Sequence, residues 1–130
     1  MILLDTCAWL WWMSDPDQLS GRARREIDAA VRGGGVLISA ISAWEIGIKE
    51  AKGKLRLRWP AEEFVARSAA LPVVKFIPLS PEVAVASSKL AMHHQDPADR
   101  FIIATALRMR LPVATSDGKF GAYDGLAVVW

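Results

Sequence analysis

The sequence predicts an α/β fold, a three-layer α/β/α sandwich with a central parallel sheet, and three observations carry that prediction. Short, largely apolar runs recur along the chain without the polar alternation of a strand that faces water, as strands buried on both faces require. Helix-start signals (a capping Ser or Asp, often followed by Pro or an acid) fall between those runs. Strands and helices therefore alternate, and alternation calls for crossover connections that lay helices on both faces of a parallel sheet.

The elements follow in order. Ile2-Leu3-Leu4 is a first strand ending at Asp5, and Cys7 to Met13 suit a short buried helix. Ser20 caps a more polar helix that runs through Ala29, Ala30 and Val31 to the Gly33-Gly34-Gly35 stop. Val36-Leu37-Ile38 is a second strand. Ser42-Ala43-Trp44-Glu45 fits the S-x-x-E capping box and opens a helix with Ile46, Ile48 and Ala51, ended by Gly53. Trp59-Pro60-Ala61-Glu62-Glu63 opens another, with Pro60 expected at its first helical position. Val74 to Ile77 form a third strand, and Ser80-Pro81-Glu82 begins a helix expected to reach about Met92. Asp96-Pro97-Ala98-Asp99 places a cap, a proline and an acid in one first turn, and Phe101 to Leu107 then supply a buried face. Pro112 to Thr115 make a fourth strand ending near Asp117, and Leu126 to Trp130 a fifth.

Composition sets bounds on function. The 130 residues are 52% hydrophobic and 23% charged, without repeats, linkers or low-complexity stretches, so residues 1–130 are expected to form one domain with a true core. A formal charge of +2 gives no global attraction to nucleic acid, and any such attraction must come from local clustering. The single Cys7 excludes an internal disulfide and a cysteine zinc site, fits a reducing cytoplasmic setting, and is expected as inert packing. The apolar opening raises the question of a leader or membrane anchor. Asp5 interrupts it, no Lys or Arg precedes Gly21, and the apolar stretch is far shorter than the ~20 residues of a spanning helix, so neither is expected.

In a parallel sheet the strands end, and the following helices begin, on one edge, and that edge is where ligands bind. Asp5 ends the first strand, Glu45 lies in the first turn of the helix after the second, Asp99 in the first turn of the last long helix, and Asp117 follows the fourth strand. Each acid also has a local explanation. Glu45 fits a capping box, Asp96 and Asp99 suit a helix start, Asp117-Gly118 is turn chemistry, and Asp5 can cap the turn after its strand. Convergence on one edge is harder to explain locally. Four carboxylates in a partly dehydrated cleft repel one another unless a divalent cation neutralises them, and hard oxygen ligands suit Mg²⁺ or Mn²⁺.

Several segments, taken in order, resemble signatures of one family. They are Asp5-Thr6 followed by a helix with Trp11; Ile41-Ser42-Ala43-Trp44-Glu45-Ile46 with Lys49 and Gly53-Lys54-Leu55; Asp96-Pro97-Ala98-Asp99-Arg100; and Thr115-Ser116-Asp117. Over essentially its full length the chain resembles the VapC group of PIN-domain proteins. That resemblance implies a Mg²⁺- or Mn²⁺-dependent endoribonuclease, commonly a homodimer, that is the toxin of a type II toxin-antitoxin pair and is held inactive by a VapB-like antitoxin. Residue by residue it implies Asp5 and Asp99 as principal metal ligands and catalytic acids, with Glu45 and Asp117 completing the pocket directly or through waters. Thr6, Thr115, Ser116 and Arg100 are then substrate-binding candidates, Thr115 and Ser116 for the scissile phosphate or a water.

Beyond the acids, Lys49, Lys52, Lys54, Arg56 and Arg58 form a basic stretch that either contacts phosphate or is a solvated face. Arg100 either contacts phosphate or pairs with an acid of the site. His93 and His94 precede the last acidic motif, and a surface or hydrogen-bonding role is expected for both. Of the six tryptophans, Trp9, Trp11, Trp12 and Trp44 gather around the first and third helices, and part of that aromatic surface is expected to be exposed for an antitoxin segment or a second subunit. Two other enzyme classes on this architecture fit poorly. A haloacid-dehalogenase-type phosphatase needs a second Asp where Cys7 stands, and a response-regulator receiver needs an acidic pair and a late strand-end Lys that are not evident. The alternative from another class is a noncatalytic PIN-fold module that binds RNA or a protein, against which a complete acidic quartet argues.

Overall fold

Strand pairing in the computed structural model, which describes Met1–Trp130, is parallel throughout. The strands are β1 (Ile2–Leu4), β2 (Val36–Ser39), β3 (Val74–Ile77), β4 (Val113–Ala114) and β5 (Val128–Val129), in the order β3-β2-β1-β4-β5. Six helices connect them: α1 (Thr6–Ser14), α2 (Gly21–Gly33), α3 (Ala40–Ala51), α4 (Ala61–Ala69), α5 (Pro81–Ser88) and α6 (Pro97–Met109). The three-layer prediction therefore holds. Because side chains alternate along a strand, Leu3, Leu37 and Val113 enter one core with Ile102, Ile103 and Phe120, whereas Ile2, Leu4, Val36 and Ile38 enter the other with Trp9, Ile27 and Phe64. Leu3, Leu4, Ile38, Ile102 and Ile103 are fully buried, and each stabilises the fold by about 1.5–3 kcal/mol. No helix is long and apolar enough to cross a membrane.

The chain winds outward from β1 through β2 to β3, then returns to place β4 on the other side of β1. The order thus reverses between β1 and β4, opening a crevice beyond their carboxyl ends. Asp5 and Thr115 directly follow these two strands.

Local details differ from expectation at three places. The helix after β2 starts earlier than its capping-box signature implied: Ser39 is the cap, its Oγ accepting from the Ile41 N–H at 3.2 Å. Ser42 is consequently inside the helix and buried, and Glu45 lies in its second turn, so no capping box forms. Pro60 is the N-cap of α4 rather than its first residue, and since proline offers no side-chain oxygen, Glu50 Oε2 accepts from the Ala61 N–H at 2.9 Å in its place. Helix α5 stops at Ser88, short of Met92, and the guanidinium of Arg100 donates to the carbonyls of Ser87, Leu90 and Ala91 at and just beyond its end, satisfying groups the helix itself leaves without donors. The expected stop at Gly53 is kept: with φ +67 it turns the chain so that the Lys54 N–H reaches the Lys49 carbonyl at 2.9 Å.

Candidate active site at the sheet edge

Asp5 owes its place to β4 and α1. Its N–H donates to the Ala114 carbonyl at 3.1 Å, which ties the residue to the sheet, and its Oδ1 accepts from the Ala8 N–H at 2.8 Å, capping α1. The Thr115 hydroxyl beside the same carboxylate favours its ionised form. Asp5 is 5% exposed, and burial, helped by the charges of Glu45 and Asp117, pushes its pKa up to about 6 against the opposing hydrogen bonds. A carboxylate so enclosed has no local cation to compensate it.

Glu45 reaches the same crevice from α3. Its Oε1 accepts from the Thr6 hydroxyl, which also lies 2.9 Å from the Ser42 hydroxyl, and its Oε2 is 3.3 Å from Lys49 Nζ. Thr6 and Ser42 are buried, so Thr6 is placed to orient Glu45. Thr115 is also buried; besides serving Asp5 it accepts from the Asp117 N–H at 3.0 Å, shaping the turn that carries Asp117, while Ser116 is exposed on that turn. The three hydroxyl residues named from the motifs therefore lie in or beside the acidic crevice, two of them already bonded to its acids.

Asp96 and Asp99 separate as their spacing suggested. Asp96 caps α6, its Oδ1 accepting from the Ala98 N–H at 2.9 Å, and Asp99 in the first turn faces the crevice. Burial first, then the charge of Asp96, pushes the Asp99 carboxyl up to about 7; Glu45 and Asp5 add to this and His94 opposes it. Asp117 behaves oppositely. Burial, the largest single influence, pushes it up but is outweighed by the sum of the Lys119 N–H, the His94 ring and the charges of His94 and Lys119, which hold it below the usual carboxylate range.

Two residues stand where the motifs alone did not put them. Arg100 is buried and donates to four backbone carbonyls, those of Ser87, Leu90, Ala91 and His94, at 2.8–3.1 Å. Its donors are occupied inside the protein, so it fastens the α5–α6 turn and offers no free fork to a phosphate. His94, expected in a surface or hydrogen-bonding role, takes the second, and does so buried in the acidic cluster: Nε2 lies 2.7 Å from Asp117 Oδ2 and 3.1 Å from Asp99 Oδ2. Ligand atoms of His94, Asp99 and Asp117 all fall within 4.8 Å of one another. The signal available in the sequence was its position just ahead of Asp96-Pro97-Ala98-Asp99.

The surroundings divide the basic stretch. Lys49, Lys52 and Lys54 line a cleft of about 240 Å³ with Trp44, Ile48, Glu45 and Pro97, opening beside the acids. Arg56 and Arg58 instead lie over α1 with Trp11 and Leu57. Among the tryptophans Trp9 is fully buried, its indole N–H donating to Ser68 Oγ at 2.9 Å, whereas Trp44 is 56% exposed at the lysine cleft. Cys7 is exposed near the acids rather than packed away. Desolvation of its sulfur and the charge of Asp5 nonetheless raise its pKa to about 11, with Lys49 opposing, so the thiol stays protonated and unreactive.

Hard oxygen donors converging from β1, α3, α6 and the turn after β4, two of them with raised pKa, suit a divalent cation. Comparisons with known proteins agree with this architecture. Residues 2–126 match the PIN domain family. Ribonuclease VapC22 of Mycobacterium tuberculosis is 28% identical over 123 residues, covering 94% of this chain and 91% of that protein. Among solved structures, FitAcB from Neisseria gonorrhoeae superposes with TM-score 0.64 at 28% identity, covering 98% of this chain and 96% of that one. VapBC2 from Rickettsia felis, bound to a DNA fragment from its promoter, shares the fold with TM-score 0.70 at 16% identity, covering 98% and 97%. The family match, the sheet order and the acid-lined reversal point coincide along the chain, which belongs to the PIN-domain family with VapC-type ribonucleases among its relatives.

Proposed function

We propose that this protein is a Mg²⁺- or Mn²⁺-dependent endoribonuclease, the toxin of a type II toxin-antitoxin pair acting in the cytoplasm, formed by one PIN domain over residues 1–130. The observation that supports this most is the set of four carboxylates at the reversal point of the sheet, with Asp5 raised to about 6 and Asp99 to about 7. Buried acids that resist ionisation without a cation are the expected state of a metal site. Asp5 and Asp99 are the principal ligands in this reading, with Glu45 and Asp117 completing the shell directly or through water.

A bound divalent ion supplies an activated water and shields phosphate charge. The protein's own residues prepare the site. Thr6 and Lys49 hold the Glu45 carboxylate from either side, Thr115 and the Ala8 N–H hold Asp5, and Lys119 N–H holds Asp117. Lys49, Lys52 and Lys54 present positive charge along the adjoining cleft, suited to the phosphates of an RNA strand. Ser116, exposed next to Asp117, is available to a scissile phosphate or a water. Exposed Trp44, Ile48, Val85 and Met92 offer apolar surface to a second subunit or to a VapB-like antitoxin, as the VapBC and FitAB assemblies among its structural relatives suggest.

Controlled expression of this chain in bacteria tests the proposal. Growth should arrest, new RNA ends should accumulate, and both effects should vanish with Asp99→Asn at equal protein level. Arrest that persists with Asp99→Asn, or arrest without new RNA ends, contradicts it.

A further inference from the structure

We infer that His94 is a positioning residue of this centre, a fixed N–H donor that holds the Asp117 carboxylate in place beside Asp99 without itself binding the metal. The inference rests on the metal-site reading above and adds a residue to it. His94 is 5% exposed, and each of its polar atoms is engaged. Its backbone N–H donates to Tyr123 Oη at 2.9 Å, and its carbonyl accepts from Arg100 Nη1 at 2.9 Å. Nδ1 faces the Asp96 N–H at 3.2 Å, and Nε2 faces Asp117 and Asp99. The ring stands edge-on to Phe120, with centroids 5.6 Å apart.

The direction of these bonds decides the role. A backbone N–H only donates, so Nδ1 accepts from Asp96 and Nε2 carries the ring proton. A protonated Nε2 has no lone pair for a cation. To become a ligand the ring would have to move its proton to Nδ1, where it would point at the Asp96 N–H. His94 therefore donates to Asp117, with Asp99 Oδ2 3.1 Å away, although its Nε2 lies close enough to be counted with the acids.

What the donor accomplishes follows from Asp117. Its side chain is 37% exposed on a surface turn, the most open of the site acids for which exposure bears on mobility. Oδ1 is held by the Lys119 N–H at 2.9 Å, and His94 holds Oδ2, so the carboxylate is fixed at both oxygens before any metal arrives. The scaffold behind His94 is equally fixed. Arg100 ties the turn through four carbonyls, and the Tyr123 hydroxyl donates to the Ala91 carbonyl at 2.7 Å while accepting from His94. This accounts for a buried arginine beside the acids that touches none of them.

The test compares His94→Asn with His94→Gln, using Mn²⁺ as the probe. Asn can still accept the Asp96 N–H but does not reach the acids, whereas the Gln amide can donate at the position of Nε2. His94→Asn should weaken Mn²⁺ binding about 10–100-fold and lower kcat, and His94→Gln should recover most of both, with the two variants melting alike in chelator. Electron spin-echo spectra of Mn²⁺ on the wild type should show no directly bonded nitrogen. Wild-type Mn²⁺ affinity in His94→Asn, or a directly bonded nitrogen, overturns the inference. A wild type that binds no Mn²⁺ overturns the metal reading instead. In that event ¹⁵N spectra of the ring in the metal-free wild type still decide, since a proton on Nε2 upholds the tether and a proton on Nδ1 refutes it.

Discussion

Replacing Asp5 by Asn separates its two duties, because Asn keeps the oxygen that caps α1 and discards the buried charge. In the unfolded chain the Asp5 carboxyl titrates at 3.8, and in the fold at about 6, raised chiefly by burial. The sign follows directly. Between those values the folded protein holds a proton that the unfolded chain has released, so stability falls as pH rises through that window and stays reduced above it. The full difference, with Asp5 ionised in both states, costs the metal-free protein about 3 kcal/mol. Asn does not titrate, so that loss is absent from the variant. Relative to wild type, Asp5→Asn in chelator should therefore gain about 3 kcal/mol between pH 4 and pH 8, near 10 °C in Tm for a domain of this size. Thermal and urea melts of both proteins across that range measure the gain. Divalent metal should raise the wild-type midpoint at pH 8 and leave the variant nearly unmoved. A stability gap that does not change with pH, or a variant that is less stable at pH 8, would refute the idea that Asp5 is a strained metal ligand.

Other substitutions probe the remaining residues. Glu45→Gln should leave melting within about 0.5 kcal/mol, since Gln can still accept from Thr6, yet should reduce metal-supported cleavage steeply; cleavage near the wild-type rate would remove Glu45 from the centre. Arg100→Lys should destabilise by more than about 3 kcal/mol in urea melts, because a single ammonium cannot serve four carbonyls; unchanged melting with weakened RNA binding would restore a phosphate role. Asp96→Asn should preserve the α6 cap and much of the activity while Asp99→Asn abolishes cleavage, and equal losses in cleavage assays would contradict that division. Ser68→Ala strands the buried Trp9 indole N–H and should cost about 1–3 kcal/mol with activity per folded molecule unchanged, read by paired melting and cleavage.

The site acids were legible because each sits at a grammatical junction of an α/β chain: a strand end for Asp5 and Asp117, a helix opening for Asp99. Topology then did the gathering, since strands of a parallel sheet end on one edge. Glu45 was found for a partly mistaken reason. Ser39 and Ser42 are both plausible caps, and the sequence does not show that β2 passes into α3 without a loop, which makes Ser39 the cap and leaves Ser42 helical and buried. What local pattern left open at Arg100 and His94 shares one cause. An arginine after an acid resembles a phosphate ligand, but its guanidinium points back to the end of α5, and the turn so fastened carries His94 inward. The inward place of His94 also depends on contacts with Tyr123 and Asp117, distant in sequence, that no local pattern encodes.

The central claim is that the converging carboxylates hold a divalent ion that cleaves RNA, and the most direct measurement follows single-turnover RNA cleavage while Mg²⁺ or Mn²⁺ is titrated into chelator-stripped protein, with calorimetry on the same samples. The account predicts saturable metal binding, cleavage that rises along the same curve, and loss of both in Asp5→Asn and Asp99→Asn proteins that remain folded. Cleavage that persists in chelator, or metal binding that survives both substitutions, would contradict it.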